Sequence, residues 1–140
     1  MAEVTISKEF NVNSEKLWEQ VRQFNNMERF LPSLVTSCSL DGRGQGSKRV
    51  CGTENGDIIE TLTLLDEANK TLEYTIDNED APLPLANYTG KVTVERLGDN
   101  KTQFTWSGKF EPKGMPESEV VLMMEGVFIS LLDNIAGSTS

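Results

Sequence analysis

Glu60 and Arg49 are the charged residues whose neighbours raise a question of chemistry. Glu60 lies within Asp57-Ile58-Ile59-Glu60-Thr61-Leu62-Thr63-Leu64-Leu65, and Arg49 within Ser47-Lys48-Arg49-Val50-Cys51-Gly52-Thr53, two strand-like runs flanking Asn55-Gly56. A two-residue hairpin loop at Asn55-Gly56 makes paired positions sum to 111, so that Cys51 faces Glu60 and Arg49 faces Leu62. Period two then gathers Ser47, Arg49, Cys51 and Thr53 on one face with Ile58, Glu60, Leu62 and Leu64, with Arg49 diagonally within reach of Glu60. The opposite face carries Ile59, Thr61, Thr63 and Leu65 and is more polar, so the first face is the buried one. A carboxylate there has to be paired or protonated, because a stranded charge is costly. Two roles follow: a polar anchor for a ligand's carbonyl, hydroxyl or carboxylate, or an ion pair that sets strand register.

The remaining chemistry is narrow. The chain contains no histidine, which removes the usual general base near neutral pH, Ser-His and Cys-His nucleophilic pairs, and His-ligated metal sites. No metal or other cofactor is expected. Cys38 and Cys51 lack metal-ligand spacing and are too few for a disulfide scaffold, so they are expected as free buried thiols in a reducing compartment. Tyr88 and Trp106 can stack on a ring and still offer a hydrogen bond. Leu72, Tyr74 and Ile76 share a strand face, as do Tyr88, Gly90, Val92 and Val94, and Phe104, Trp106, Gly108 and Phe110. Gly90 and Gly108 on those inward faces are either bulge sites or vacant volume for a guest.

These residues need a scaffold, and the chain supplies one domain's worth. It has 140 residues, 37% of them hydrophobic, with 13 basic and 22 acidic side chains for a net charge of −9. That balance disfavours nucleic acid and anionic lipid as partners. Val4–Phe10 alternates as a strand, Asn13 or Ser14 caps a short helix carrying Leu17, Trp18 and Val21, and a second helical turn at Asn26–Phe30 stops at Pro32. Six strands follow, at Leu34–Leu40, Ser47–Thr53, Asp57–Asp66, Thr71–Asp77, Asn87–Arg96 and Thr102–Glu111. Pro116–Asn134 reads as a long apolar helix containing Met123, Met124 and Phe128, with Gly126 in mid-helix marking close approach to the sheet or room for a ligand, and Gly137 onward is a polar tail. The stretch Val120–Leu132 is interrupted by Glu125, Gly126 and Ser130 and is too short to cross a bilayer, and Met1–Ile6 has no signal-peptide pattern, so a cytoplasmic protein without integral membrane contact is expected. The order is that of an α+β fold: a seven-stranded curved antiparallel sheet wrapped round a long C-terminal helix.

Several stretches carry a resemblance: Leu17-Trp18-Glu19-Gln20-Val21-Arg22-Gln23-Phe24, Phe30-Leu31-Pro32, Gly46-Ser47-Lys48-Arg49, Gly56-Asp57-Ile58-Ile59-Glu60-Thr61-Leu62, Leu85-Ala86-Asn87-Tyr88 and Phe104-Thr105-Trp106-Ser107-Gly108-Lys109-Phe110. In this order the chain resembles the START-like helix-grip superfamily, which includes the birch-pollen-allergen and polyketide cyclase/dehydrase (SRPBCC) families. The resemblance implies a deep apolar cavity between sheet and C-terminal helix, closed by strand-connecting loops such as Glu79–Leu85. It also implies a hydrophobic ligand, lipid-like or aromatic and polyketide-like. Glu60 matches a glutamate that lines the pocket of the hormone-receptor branch. Thr36 stands where those receptors have a ligand-anchoring lysine, so that cation is missing. The expected lining is Thr36, Arg49, Glu60, Leu62, Tyr74 and Tyr88, with Gly90, Trp106, Gly108, Met124 and Phe128. Alternatives are a cyclase or dehydratase using Glu60 with Tyr88 and Arg49, and a co-chaperone-like interaction module. The oligomeric state is open, a homodimer included. The missing histidines exclude the iron-binding Rieske branch.

Overall fold

The computed structural model describes residues 1–139. Strand β1 (Ala2–Phe10) leads into helices α1 (Ser14–Val21) and α2 (Met27–Phe30). Strands β2 (Ser37–Asp41), β3 (Lys48–Thr53), β4 (Gly56–Asp66), β5 (Thr71–Ile76), β6 (Leu85–Gly98) and β7 (Lys101–Pro112) follow, and helix α3 (Glu117–Gly137) ends the fold. All neighbouring strands are antiparallel, in the order β1-β7-β6-β5-β4-β3-β2, so sequence neighbours pair except where β1 closes onto β7.

Local chemistry explains the elements. Asn13 caps α1, its Oδ1 accepting from the Lys16 amide at 3.1 Å, and Leu17, Trp18 and Val21 turn inward. Along β6 and β7 the alternation resolves as read: Tyr88, Gly90, Val92 and Val94, and Phe104, Trp106, Gly108 and Phe110, all point into the core. Helix α3 packs across this face through Val120, Met124, Phe128, Leu131, Leu132 and Ile135. At 21 residues it has the length and hydropathy of a bilayer-crossing segment, longer than the interrupted apolar stretch suggests. One side of it is buried in the core, where α3 docks on β1 and β7, while Leu122 and Ile129 on the other side are exposed. Gly126 is on the outer side of α3 with nothing near its missing Cβ, so it neither approaches the sheet nor makes room for a ligand. The chain stays ordered past the expected start of a tail: Thr139 Oγ1 donates to the Ile135 carbonyl at 2.9 Å, and Ser140 lies outside the described residues.

The β3–β4 hairpin differs from its expected register. Its loop is Glu54-Asn55, closed by the Thr53↔Gly56 pair, so paired positions sum to 109. A type I′ turn at Asn55-Gly56 needs positive φ at both residues, and Gly56 alone takes it, at +135°. Thr53 fixes the shorter loop: its Oγ1 accepts from the Asn55 amide at 3.1 Å and donates to the Gly56 carbonyl at 2.8 Å. The shift is two positions in the pairing sum, so every face is preserved while partners change. Arg49 now stands directly opposite Glu60, and Cys51 opposite Ile58. A bulge between Leu62 and Leu64 then exchanges faces, and Leu65 rather than Leu64 packs against the core.

The cysteines are also corrected. Cys38 and Cys51 are not free thiols but a disulfide between β2 and β3, with Cα atoms 4.2 Å apart. They are directly opposed in the ladder, which brings the two Cβ atoms within bonding reach. Composition alone carries no record of that opposition.

The β4–β5 turn is tied to α1 by Glu67. Its carboxylate accepts from Trp18 Nε1 at 2.7 Å and from Arg22 Nη2 at 2.6 Å, and these partners, Arg22 foremost, hold the Glu67 carboxyl below the usual range. A lowered folded value means the clamp stabilises fully above the ordinary glutamate range, about 4.3, and is lost as pH falls through the lowered value. Tryptophan emission of the wild type is expected to shift on acidification before global unfolding. In Glu67→Gln that step should be missing; an identical acid profile would remove Glu67 as its origin.

Candidate functional site

A small cavity lies between the β3–β5 end of the sheet and α3. Its wall is apolar: Met27, Leu31, Leu34 and Val35 from α2 and the link to β2, Ile58 and Ile76 from the sheet, Leu83 from the β5–β6 loop, and Met124, Val127, Phe128 and Leu131 from α3. Cys51, Arg49, Glu60, Tyr74 and Tyr88 complete it. The volume is about 60 Å³, room for a few waters and several-fold below the 300 Å³ or so at which drug-sized sites begin. The deep cavity implied by the resemblance is therefore closed down in this conformation.

Its polar wall is built from neighbouring strands. Arg49 Nε donates to Glu60 Oε1 at 2.9 Å, Nη2 lies 2.8 Å from the same oxygen, and both side chains are almost wholly buried. The guanidinium also stacks over the Phe24 ring, 3.9 Å from its centroid. Both contacts fall on Oε1, which leaves Glu60 Oε2 without a hydrogen-bond partner among the described residues. Burial pushes the Glu60 carboxyl above the ordinary range, and Arg49 pulls it back in part. Beside the pair runs a second polar chain: Trp106 Nε1 donates to Tyr74 Oη at 2.9 Å, and the Tyr74 and Tyr88 hydroxyls are 2.6 Å apart. Burial raises Tyr74 to about 12 and Tyr88 well above its ordinary value, so both phenols stay protonated and act as hydrogen-bonding groups rather than bases.

The expected site residues divide three ways. Arg49, Glu60, Tyr74, Tyr88, Met124 and Phe128 converge on the cavity. Trp106 is set back from it and reaches it through Tyr74, lining instead a void of about 20 Å³ behind Arg49 and Tyr74. Leu62 is buried core away from both spaces. Thr36 is exposed outside the cavity, its Oγ1 donating to the Gly52 carbonyl at 3.1 Å, because the chain turns outward there to enter β2. Gly90 and Gly108 hold no vacant volume. A Cβ at Gly90 would sit 2.3 Å from the Tyr74 ring, and one at Gly108 would sit 2.8 Å from Tyr88 and 3.0 Å from Phe128. The two glycines are seats for the tyrosines of the polar chain. The expected lining omits Met27 and Leu31, whose spacing reads only as a helical turn before Pro32, Leu34 and Val35, which read as the start of a strand, and also Cys51, Ile58, Ile76, Leu83, Val127 and Leu131.

The β5–β6 loop forms part of the cavity wall. Leu83 lines the cavity, Pro82 lies beside the β3–β4 turn, its Cδ 3.9 Å from where a Cβ on Gly56 would stand, and the Lys113 amide donates to the Pro84 carbonyl at 2.9 Å. This loop is packed rather than projecting.

With cavity, curved sheet and gripping helix together, residues 1–137 match the family described as polyketide cyclase / dehydrase and lipid transport. The chain belongs to that family. No curated protein matches it. Among solved structures it is similar to the protein XoxI from Bacillus cereus, at 27% identity over 99% of this chain and 96% of that one, with a TM-score of 0.85. It shares its fold with a START superfamily protein from Mycobacterium smegmatis, at 16% identity over 98% and 96% of the two chains and a TM-score of 0.80. It also shares it with norcoclaurine synthase from Thalictrum flavum, solved with dopamine and hydroxybenzaldehyde, at 14% identity over 97% and 84% and a TM-score of 0.73. The fold of this family member is thus the helix-grip fold of the START and birch-pollen-allergen proteins.

Proposed function

We propose that this family member binds a neutral hydrophobic small molecule, lipid-like or aromatic, between the sheet and α3, and that Glu60 Oε2 and the Tyr88 hydroxyl take its one polar group. The observation that carries this reading is an apolar wall interrupted by a polar cluster in which both Arg49 contacts fall on one oxygen of Glu60 and the other oxygen makes no hydrogen bond to the protein among the described residues. Arg49 and Glu60 neutralise each other, and Glu54, Asp57, Glu79 and Asp80 are exposed on the loops around the mouth, so an anionic ligand is disfavoured. A hydroxyl or carbonyl fits better than a carboxylate. Binding is preferred to catalysis because Glu60 is held by Arg49, and a proton-transfer role would have to break that contact. An interaction module would use the outer sheet or the Pro82–Leu85 loop, but that loop is packed on the cavity mouth.

Native mass spectrometry of the purified protein is expected to show a co-purifying hydrophobic molecule. For Glu60→Gln, affinities for a long-chain alcohol and for the hydrocarbon of equal length are compared. The alcohol's advantage should fall about tenfold, the loss of a charge-assisted hydrogen bond. Comparing the two probes cancels any general loosening of the fold, and an unchanged ratio removes Glu60 from the site.

A further inference from the structure

The cavity is too small for the ligand class it suits, so some wall has to move, and the covalent bond in its wall lies where one wall joins the sheet. Cys51 lines the cavity and is 1% exposed, while its partner Cys38 is half-buried on β2. Strand β2 is the five-residue edge of the sheet and pairs only with β3. The segment leading into it supplies Met27, Leu31, Leu34 and Val35 to the cavity, so α2 and the start of β2 form one lip. Besides the β2–β3 ladder, that lip is tied down by the Thr36 amide and hydroxyl on the Gly52 carbonyl, at 2.8 and 3.1 Å, and by Asn134 Nδ2 on the Phe30 carbonyl at 2.7 Å. These are single exchangeable hydrogen-bond sites, and Met27, Phe30, Leu31 and Val35 add apolar packing against the core. The disulfide is the covalent tie.

We propose that the Cys38–Cys51 disulfide is a redox latch on the α2–β2 lip, and that its reduction lets the lip swing away so that the cavity admits its ligand. The proposal rests on the binding reading above. A dithiol reductant supplies the electrons. One of its thiolates attacks Cys38 Sγ, the outer sulfur, and Cys51 leaves as a thiolate that takes up a proton. The second thiol of the reductant then displaces Cys38, which is protonated in turn, and the reductant departs as its own disulfide. Two electrons and two protons pass to the protein. The two sulfurs then separate to non-bonded distance, and with Cys51 fixed in the β3 ladder against Ile58 the displacement falls on Cys38 and the edge strand. The effect is local, because the bond crosslinks two strands already paired in register, and β4 to β7 with β1 lie beyond it. In a reducing compartment such a bond is transient and responsive rather than a permanent staple.

The test uses the full chain, oxidised and reduced with a phosphine, and the Cys38→Ser/Cys51→Ser double variant kept under oxidising conditions. Hydrogen exchange across residues 31–41 should rise about tenfold on reduction while β6 and β7 stay unchanged. Nile red, a neutral hydrophobic dye, should bind about tenfold more tightly to the reduced chain, within the usual range of coupling between sites. The double variant should match the reduced chain in both respects. Unchanged exchange at the lip overturns the latch, and so does faster exchange throughout the sheet, which would make the bond a global staple. A loosened lip with equal dye affinity in both states also overturns it. Dye uptake in neither state refutes the binding reading instead, and the exchange result still decides whether the bond holds the lip.

Discussion

Arg49→Met is expected to destabilise the protein by about 3–5 kcal/mol at neutral pH, the loss seen when one partner of a buried ion pair is removed. The substitution keeps an apolar stem but removes the guanidinium that stacks over Phe24, and it leaves the Glu60 carboxyl, already raised by burial, without the cation that pulls it back. The folded-state value of Glu60 therefore rises further above its unfolded one. Its neutral form is favoured by folding, so stability is retained below the unfolded value and lost as pH climbs through the folded one. The penalty should thus be large at pH near 8 and much smaller near 5, read by urea denaturation at the two values. Arg49→Met combined with Glu60→Leu should recover most of the loss, because no charge is then left in the core. Equal losses at both pH values, or a double variant no better than the single one, would show that the pair is not the origin.

Gly90→Ala should cost about 3 kcal/mol, the upper part of the usual range for an overpacked core. The added methyl would lie 2.3 Å from the ring of Tyr74, which is fully enclosed between Phe24, Tyr88 and Trp106. Moving that ring also pulls Tyr74 Oη from Trp106 Nε1 and from Tyr88. Replacing Tyr74 with valine removes the obstruction, so Gly90→Ala introduced on that background should cost little. A full cost on both backgrounds would point to backbone strain rather than to the ring.

Much of the site was legible because strand faces follow parity. Arg49, Glu60, Tyr74 and Tyr88 were assigned inward from period two, and a two-position error in hairpin register left all of them inward. The partners were not legible: whether Arg49 meets Glu60 directly depends on which residue of Glu54-Asn55-Gly56 carries positive φ and on the Thr53 hydroxyl, a balance of single hydrogen bonds. The glycines misled for a related reason. A sequence shows that a side chain is missing but not which neighbour fills its place, and at Gly90 the filler comes from the adjacent strand.

By itself, then, the sequence determined the order of elements, the inward faces apart from the end of β4 beyond its bulge, and the chemistry excluded by the lack of histidine, since these depend on local periodicity and residue type. Tertiary structure alone decided that the two cysteines are bonded, that both inward glycines are occupied by tyrosine rings, and that the cavity is narrowed to about 60 Å³. Each of those depends on how far apart two residues distant in the chain come to rest, and close packing fixes such distances to fractions of an ångström that no pattern along one strand encodes.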